Sequence, residues 1–275
     1  MINSNEPPTL PLIVTPEALK PLLPDPRLLL VAVCSERTFS AQHIPGSVLI
    51  EPAELVSGEK PATGKIPGAA RLSDLFSRVG LSADRHVVAY DDEGGGWAGR
   101  LLWTLDVLGH RHYSLLDGGL LAWARAGLGT ESSVSMVPRT NFEAHINRSL
   151  VASREEVEAQ IDDPNSIVWD ARSSDEYYGR RVTALRNGHI PNAINLDWVD
   201  LMDPENDLRL QPLAEIKLHL QELGVDMDKK IITHCQSHHR SGLSWVVGKA
   251  LGMDIRAYDG SWSEWGNLPD TPVAS

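Results

Sequence analysis

The sequence predicts an α/β protein of two similar domains, each a mainly parallel sheet with helices on both faces. Three observations carry that prediction. The length of 275 residues suits two cores at about 150 residues per domain. Short β-branched runs alternate with stretches of helical apolar spacing, the pattern of strand–helix units around a parallel sheet. Four landmarks also occur twice in the same order, the mark of a duplicated domain.

The first landmark is an apolar run, Leu28 to Val33 in one half and residues 167–171 in the other. The second is His43-Ile44-Pro45-Gly46-Ser47-Val48 against His189-Ile190-Pro191-Asn192-Ala193-Ile194, offset by 189 − 43 = 146. His86 to Tyr90 against Lys230 to His234 is the third. Asp117-Gly118-Gly119 with Trp123, against Asp259-Gly260-Ser261 with Trp265, is the fourth, offset by 259 − 117 = 142. Between these strands the spacing predicts helices over 72–79, 99–108, 154–161, 213–223 and 241–251. Ser153 with Glu156 forms a capping-box start, while Gly80 and Gly224 stand where helices end. Residues 127–149 are polar and aperiodic, which places domains over 10–126 and 150–271 with a linker over 127–149.

Composition narrows the function classes. Lys plus Arg number 25 against 37 Asp plus Glu, a net charge of −12 that argues against nucleic acid or an anionic membrane as partner. A local cationic site for a small anion remains compatible with that balance. Two cysteines, Cys34 and Cys235, make no disulfide framework and fit a reducing compartment. Residues 1–12 carry neither a basic n-region nor an apolar core, so no secretory signal is expected and a cytoplasmic protein is.

The halves diverge most after the third landmark strand, and ligands of open α/β sheets bind beyond strand carboxyl ends. There the second half has His234-Cys235-Gln236-Ser237-His238-His239-Arg240-Ser241-Gly242, followed by a helical stretch. The first half has Tyr90-Asp91-Asp92-Glu93-Gly94-Gly95-Gly96-Trp97, acids and glycines without a thiol. A cysteine between strand and helix meets unpaired backbone N–H groups and the positive end of the helix dipole. With His238, His239 and Arg240 close by in sequence, Cys235 is a candidate low-pKa nucleophile in an anion nest. Cys34 reads as a small core residue. His43 and His189 occur in both halves, including the one without the thiol, so they read as turn or packing residues. Trp123 and Trp265 read as core. The histidines around Cys235 lack zinc-site spacing, and Gly94-Gly95-Gly96 lacks the Gly-Lys-Ser/Thr that completes a phosphate loop, so neither a metal nor an organic cofactor is expected.

Over nearly its whole length the chain resembles the tandem-domain rhodaneses, a sulfurtransferase family. The resemblance rests on His43-Ile44-Pro45-Gly46, Asp117-Gly118-Gly119, Asp170-Ala171-Arg172, Gly188-His189-Ile190-Pro191-Asn192-Ala193, the Cys235 loop and Tyr258-Asp259-Gly260-Ser261-Trp262. It implies a catalytically inactive first domain and a second in which Cys235 cycles between thiolate and persulfide, taking sulfur from thiosulfate or a similar small anionic donor. Cyanide, a thiol or an acceptor protein would receive it. The implied donor-binding residues are Gln236, Ser237, His238, His239, Arg240 and Arg172, in a monomer. Family members with a Cys-Arg-Lys-Gly-Val-Thr or Cys-Gly-Ser-Gly-Val-Thr loop differ from this one, whose Cys-Gln-Ser-His-His-Arg loop is similar to a bacterial subgroup. Where some members place an arginine after the Asp-x-Arg element, this chain has Asp175-Glu176-Tyr177. Arg240 either braces the loop or presents charge to an incoming anion. Two alternatives stay open: a persulfide carrier serving a partner protein, and a 3-mercaptopyruvate sulfurtransferase. A phosphatase stands third, because its loop is one residue longer than Cys-x4-Arg.

Overall fold

The computed structural model describes residues 8–133 and 136–275. Val134 and Ser135 of the expected linker, and residues 1–7 of the stretch inspected for a secretory signal, lie outside the described residues. The chain forms two compact units. One comprises Met1–Leu55, Pro67–Ile146 and Pro204–Arg209, the other Val56–Ile66, Asn147–Asp203 and Leu210–Ser275. Each unit thus includes a short segment from the opposite half of the sequence.

The first unit holds strands β1 (Ile13–Val14), β2 (Leu28–Val33), β3 (Val48–Ile50), β4 (His86–Tyr90) and β5 (Tyr113–Leu116) in a parallel sheet of order β1-β5-β4-β2-β3. Every residue of β2, β4 and β5 is buried, as it must be when both faces of a parallel sheet are covered. Its helices are α1 (Pro16–Leu19), α2 (Glu36–Ala41), α3 (Ala69–Arg78), α4 (Gly96–Val107) and α5 (Gly119–Arg125). Leu30, Ala32, Val88, Tyr90, Leu116 and Trp123 belong to one buried cluster. Residues 139–144, expected within a linker, run along α3: Thr140 N–H donates to Ser77 O, and Phe142 N–H to Ser77 Oγ.

The second unit repeats the plan with β6 (Ser166–Asp170), β7 (Ile194–Asn195), β10 (Lys230–His234) and β11 (Asp254–Ala257), parallel in the order β11-β10-β6-β7. The two-residue strands β8 (Met202–Asp203) and β9 (Arg209–Leu210) lie outside both five- and four-stranded sheets. Helices α6 (Arg154–Gln160), α7 (Ser174–Tyr177), α8 (Leu213–Glu222), α9 (Arg240–Ala250) and α10 (Ser261–Trp265) complete it. The expected capping box at Ser153 and Glu156 is formed, and Gly80 and Gly224 take φ of +77° and +85° just past α3 and α8.

The repeated landmarks have matching local structure. His43 stacks on Phe39 at 3.8 Å and His189 on Tyr177 at 3.7 Å, so both histidines pack turns. Trp123 and Trp265 are fully buried, their indole N–H groups donating to Gly129 O and Pro272 O. Cys34 is buried among apolar side chains, and burial pushes its thiol up to about 12. Both cysteines are free. No helix among the described residues is long and apolar enough to cross a membrane.

Candidate active site

In the second sheet the strand order reverses direction between β6 and β10, the kind of switch point beyond whose strand carboxyl ends open α/β sheets bind ligands. Asp170 ends β6 opposite His234, the last residue of β10, and Cys235 follows at once. The run from Cys235 to His239 links β10 to α9. Cys235 is 1% exposed. Its carbonyl accepts from Trp262 N–H at 3.0 Å, and that of Gln236 from Ser263 N–H at 2.9 Å, which seats the loop on the first turn of α10. His238 has φ +53°, a left-handed kink of the kind that makes successive backbone N–H groups converge. Its ring is buried with Nδ1 2.8 Å from Ser241 Oγ.

Burial works against ionisation of the Cys235 thiol. The Arg240 guanidinium, the Ser241 backbone N–H, His239 and the Ser241 hydroxyl outweigh it, holding the thiol below its ordinary value. Arg240 is itself fixed by a two-pronged bond to Glu176, Nη1 to Oε2 at 2.6 Å and Nη2 to Oε1 at 2.9 Å. Glu176 is 4% exposed and also closes a capping box with Ser173 at the start of α7. Gln236 reaches across to Thr183 O at 3.0 Å, and the half-buried ring of His239 lies 5.6 Å from Trp198.

These contacts gather Cys235, Gln236, Ser237, His238, His239 and Arg240 in one loop. Arg172, expected among the donor contacts, is placed differently. Its guanidinium is wholly buried, paired with Asp170 at 2.6 Å, donating to Gly188 O at 2.8 Å and stacked 4.3 Å from the Trp262 ring. Arg172, two residues past the end of β6, folds back on that strand's own carboxylate. Ser241 and Glu176 carry no candidate role in the sequence reading. The Ser173-x-x-Glu176 spacing was the available signal for one of them.

The corresponding place in the first unit, 235 − 91 = 144 residues earlier, holds Asp91. Its Oδ1 accepts from Glu93, Gly94 and Gly95 N–H groups at 3.2, 3.1 and 2.8 Å, and its Oδ2 from Ala98 N–H at 2.9 Å. Asp91 O accepts from Leu120 N–H just as Cys235 O does from Trp262 N–H. The duplicated nest is therefore filled by the chain's own carboxylate in one unit and borders a thiol in the other.

The rhodanese-like domain family matches residues 15–126 and 153–268. The chain belongs to the rhodanese family. It is 43% identical to a thiosulfate sulfurtransferase of Pseudomonas aeruginosa over 265 residues, 96% of this chain and 97% of that one. A sulfur carrier protein of Thermus thermophilus is 30% identical over 281 residues, covering 95% and 96% of the two chains. Among solved structures, the 3-mercaptopyruvate sulfurtransferase of Escherichia coli superposes with a TM-score of 0.81 at 25% identity, over 92% of this chain and 99% of that one. The chain thus has two copies of the rhodanese-like domain. Among the described residues no group of three His, Cys, Asp or Glu side chains is placed to hold a metal.

Proposed function

We propose that this chain is a thiosulfate:cyanide sulfurtransferase whose working part is residues 150–271, with residues 10–126 catalytically inactive. The observation that carries the reading is the contrast between the two nests: Asp91 satisfies the N–H groups of its own loop, whereas Cys235 stands at the second with its ionisation favoured by Arg240, Ser241 and His239.

The Cys235 thiolate attacks the outer sulfur of thiosulfate. A sulfur–sulfur bond forms to Cys235, the donor's sulfur–sulfur bond breaks, and sulfite leaves with its electron pair. Cyanide or a thiolate then attacks the outer sulfur of the persulfide and Cys235 departs as thiolate, giving ping-pong kinetics. With cyanide neither half-reaction needs a proton, so a pre-formed thiolate suffices and no separate base is invoked. The persulfide's terminal charge faces the loop's backbone N–H groups, and Gln236, Ser237, His238 and His239 surround the approach. Arg240 supplies field and bracing together. The partners are a small anionic sulfur donor and cyanide, a thiol or an acceptor protein, with no nucleic acid or membrane, for a cytoplasmic monomer.

Intact mass of the reduced protein before and after thiosulfate, beside a Cys235→Ala variant, tests this. The expected result is gain of one sulfur atom by wild type alone, reversed by cyanide. Gain only with 3-mercaptopyruvate would change the donor. No gain with either, or gain by the variant, would overturn the assignment to Cys235.

A further inference from the structure

Residues 56–66 precede the Cys235 loop by some 170 positions in sequence and yet belong to the second compact unit. Resting on the sulfurtransferase reading, we infer that this segment is a positioning strap for the Cys235 loop and that Gly64 is its point of contact.

The segment closes on itself, Ser57 N–H donating to Lys65 O at 2.7 Å and Gly58 N–H to Thr63 O at 3.0 Å. It is anchored to the run that seats the loop. Ile66 N–H donates to Asp259 Oδ2 at 2.8 Å, and Lys65 pairs with the Glu264 carboxylate, which also accepts from Tyr258 OH at 2.7 Å. Gly64 is buried against the backbone of Ser237. A Cβ there would stand 2.1 Å from Ser237 O, 2.5 Å from its C and 2.7 Å from its Cα. No side chain can swing aside to relieve that contact, because its partner is main chain. The loop is thus held at two places, with the carbonyls of Cys235 and Gln236 on α10 and the Ser237 peptide on the strap.

The Ser237 peptide matters because it is planar and trans, so its carbonyl and the N–H of His238 point to opposite sides. Fixing the carbonyl against Gly64 fixes the direction of the His238 N–H, at the left-handed residue on which convergence of the nest depends. Restoring ordinary contact after adding a methyl requires a shift of 3.4 − 2.1 = 1.3 Å in one partner. A displacement of about 1 Å at a reacting centre costs on the order of a hundredfold in rate.

The experiment uses the full chain as wild type, Gly64→Ala, Lys65→Gln and Cys235→Ser. Thiosulfate:cyanide kinetics give kcat and KM. Iodoacetamide labelling across pH, read by intact mass with the Cys235→Ser protein as blank, gives the thiolate midpoint. Expected for Gly64→Ala is a kcat about a hundredfold lower with a much smaller change in KM, and a labelling midpoint moved to higher pH. Lys65→Gln, which loosens one anchor and leaves Gly64 in place, shifts both in the same direction by less. A folded Gly64→Ala protein with wild-type kcat and midpoint overturns the proposal. Should that variant not fold, a wild-type midpoint in Lys65→Gln overturns it. A wild type that labels at Cys235 but transfers no sulfur would sink the sulfurtransferase reading instead, and the midpoints would still report on the strap.

Discussion

Arg240→Met keeps most of the side chain's volume and deletes its charge, which separates the two roles given to Arg240. The first consequence falls on the thiol. Burial already opposes the Cys235 thiolate and Arg240 is the foremost group acting against it, so the midpoint for alkylation must rise. Deleting an opposite charge that favours the ionised form moves the pKa of the thiol upward. Thiolate at neutral pH then falls about tenfold per unit. Each remaining thiolate is about threefold more reactive, since nucleophilicity climbs with a Brønsted slope of about 0.4–0.5. The net loss of rate at fixed pH is only about threefold per unit, which makes the midpoint the sensitive quantity. The second consequence is structural. Glu176, 4% exposed, loses both guanidinium bonds, and breaking a buried pair costs about 3–5 kcal/mol. Because the Arg240 side chain is 18% exposed, the lower end applies, about 3 kcal/mol. Timed iodoacetamide labelling from pH 5 to 10 gives the midpoint and thermal melting the stability. Glu176→Gln with Arg240→Met should recover much of the melting temperature and none of the midpoint shift. A midpoint unchanged in Arg240→Met, with melting lowered, would refute the argument and leave Arg240 a brace alone.

Two further outcomes concern buried carboxylates with opposite pH dependence. In the first unit burial raises Asp91 to about 6 against the pull of its N–H donors. A raised acid adds stability that is fully present below its unfolded value near 4 and lost as pH rises through about 6. The melting gap between wild type and Asp91→Asn should therefore be wider at pH 4 than at pH 7, with sulfur transfer retained; a gap that widens with pH contradicts the placement of Asp91. In the second unit burial opposes the Asp170 carboxylate, but His234 and Arg172 hold it below the ordinary range. Burial favours the neutral His234 ring, so the permanent charge facing Asp170 is Arg172. Stability from a depressed acid is present above about pH 4 and lost as pH falls. Asp170→Asn should cost about 3–5 kcal/mol near neutrality, the gap narrowing toward pH 3.

Much of this was legible in the residues because it is local. The strands from Leu28 to Val33, His86 to Tyr90 and Lys230 to His234 have the bounds their apolar runs suggest, and α6 begins at the capping box that Ser153 and Glu156 announce. Cys235 stood out because the duplication supplied its own control, the same place without a thiol. What stayed hidden depends on distant chain meeting. Glu176 registered only as the absence of an expected arginine, since its bond to Arg240 spans 64 positions. The acids after β4 looked unarmed, yet nothing in their spacing says that the Asp91 side chain turns back to satisfy its own loop. Arg172 looked available because its type and motif are visible from sequence, whereas its burial under Trp262 is not. Gly64 carried no pattern at all, because a glycine required by a close approach resembles any other in a loop.

The exchange of short segments has a consequence for the order in which the chain is made. Residues 56–66 leave the ribosome early and must wait for the unit they complete, while the first unit, otherwise finished at Ile146, lacks 204–209 until synthesis has advanced another 209 − 146 = 63 residues. At about 5–20 residues per second that is a delay of roughly 3 to 13 s. A chain cut anywhere within 127–149 would leave each piece without a segment its unit contains. Duplication of the domain therefore has not made two interchangeable modules, and neither unit can be completed by one half of the chain.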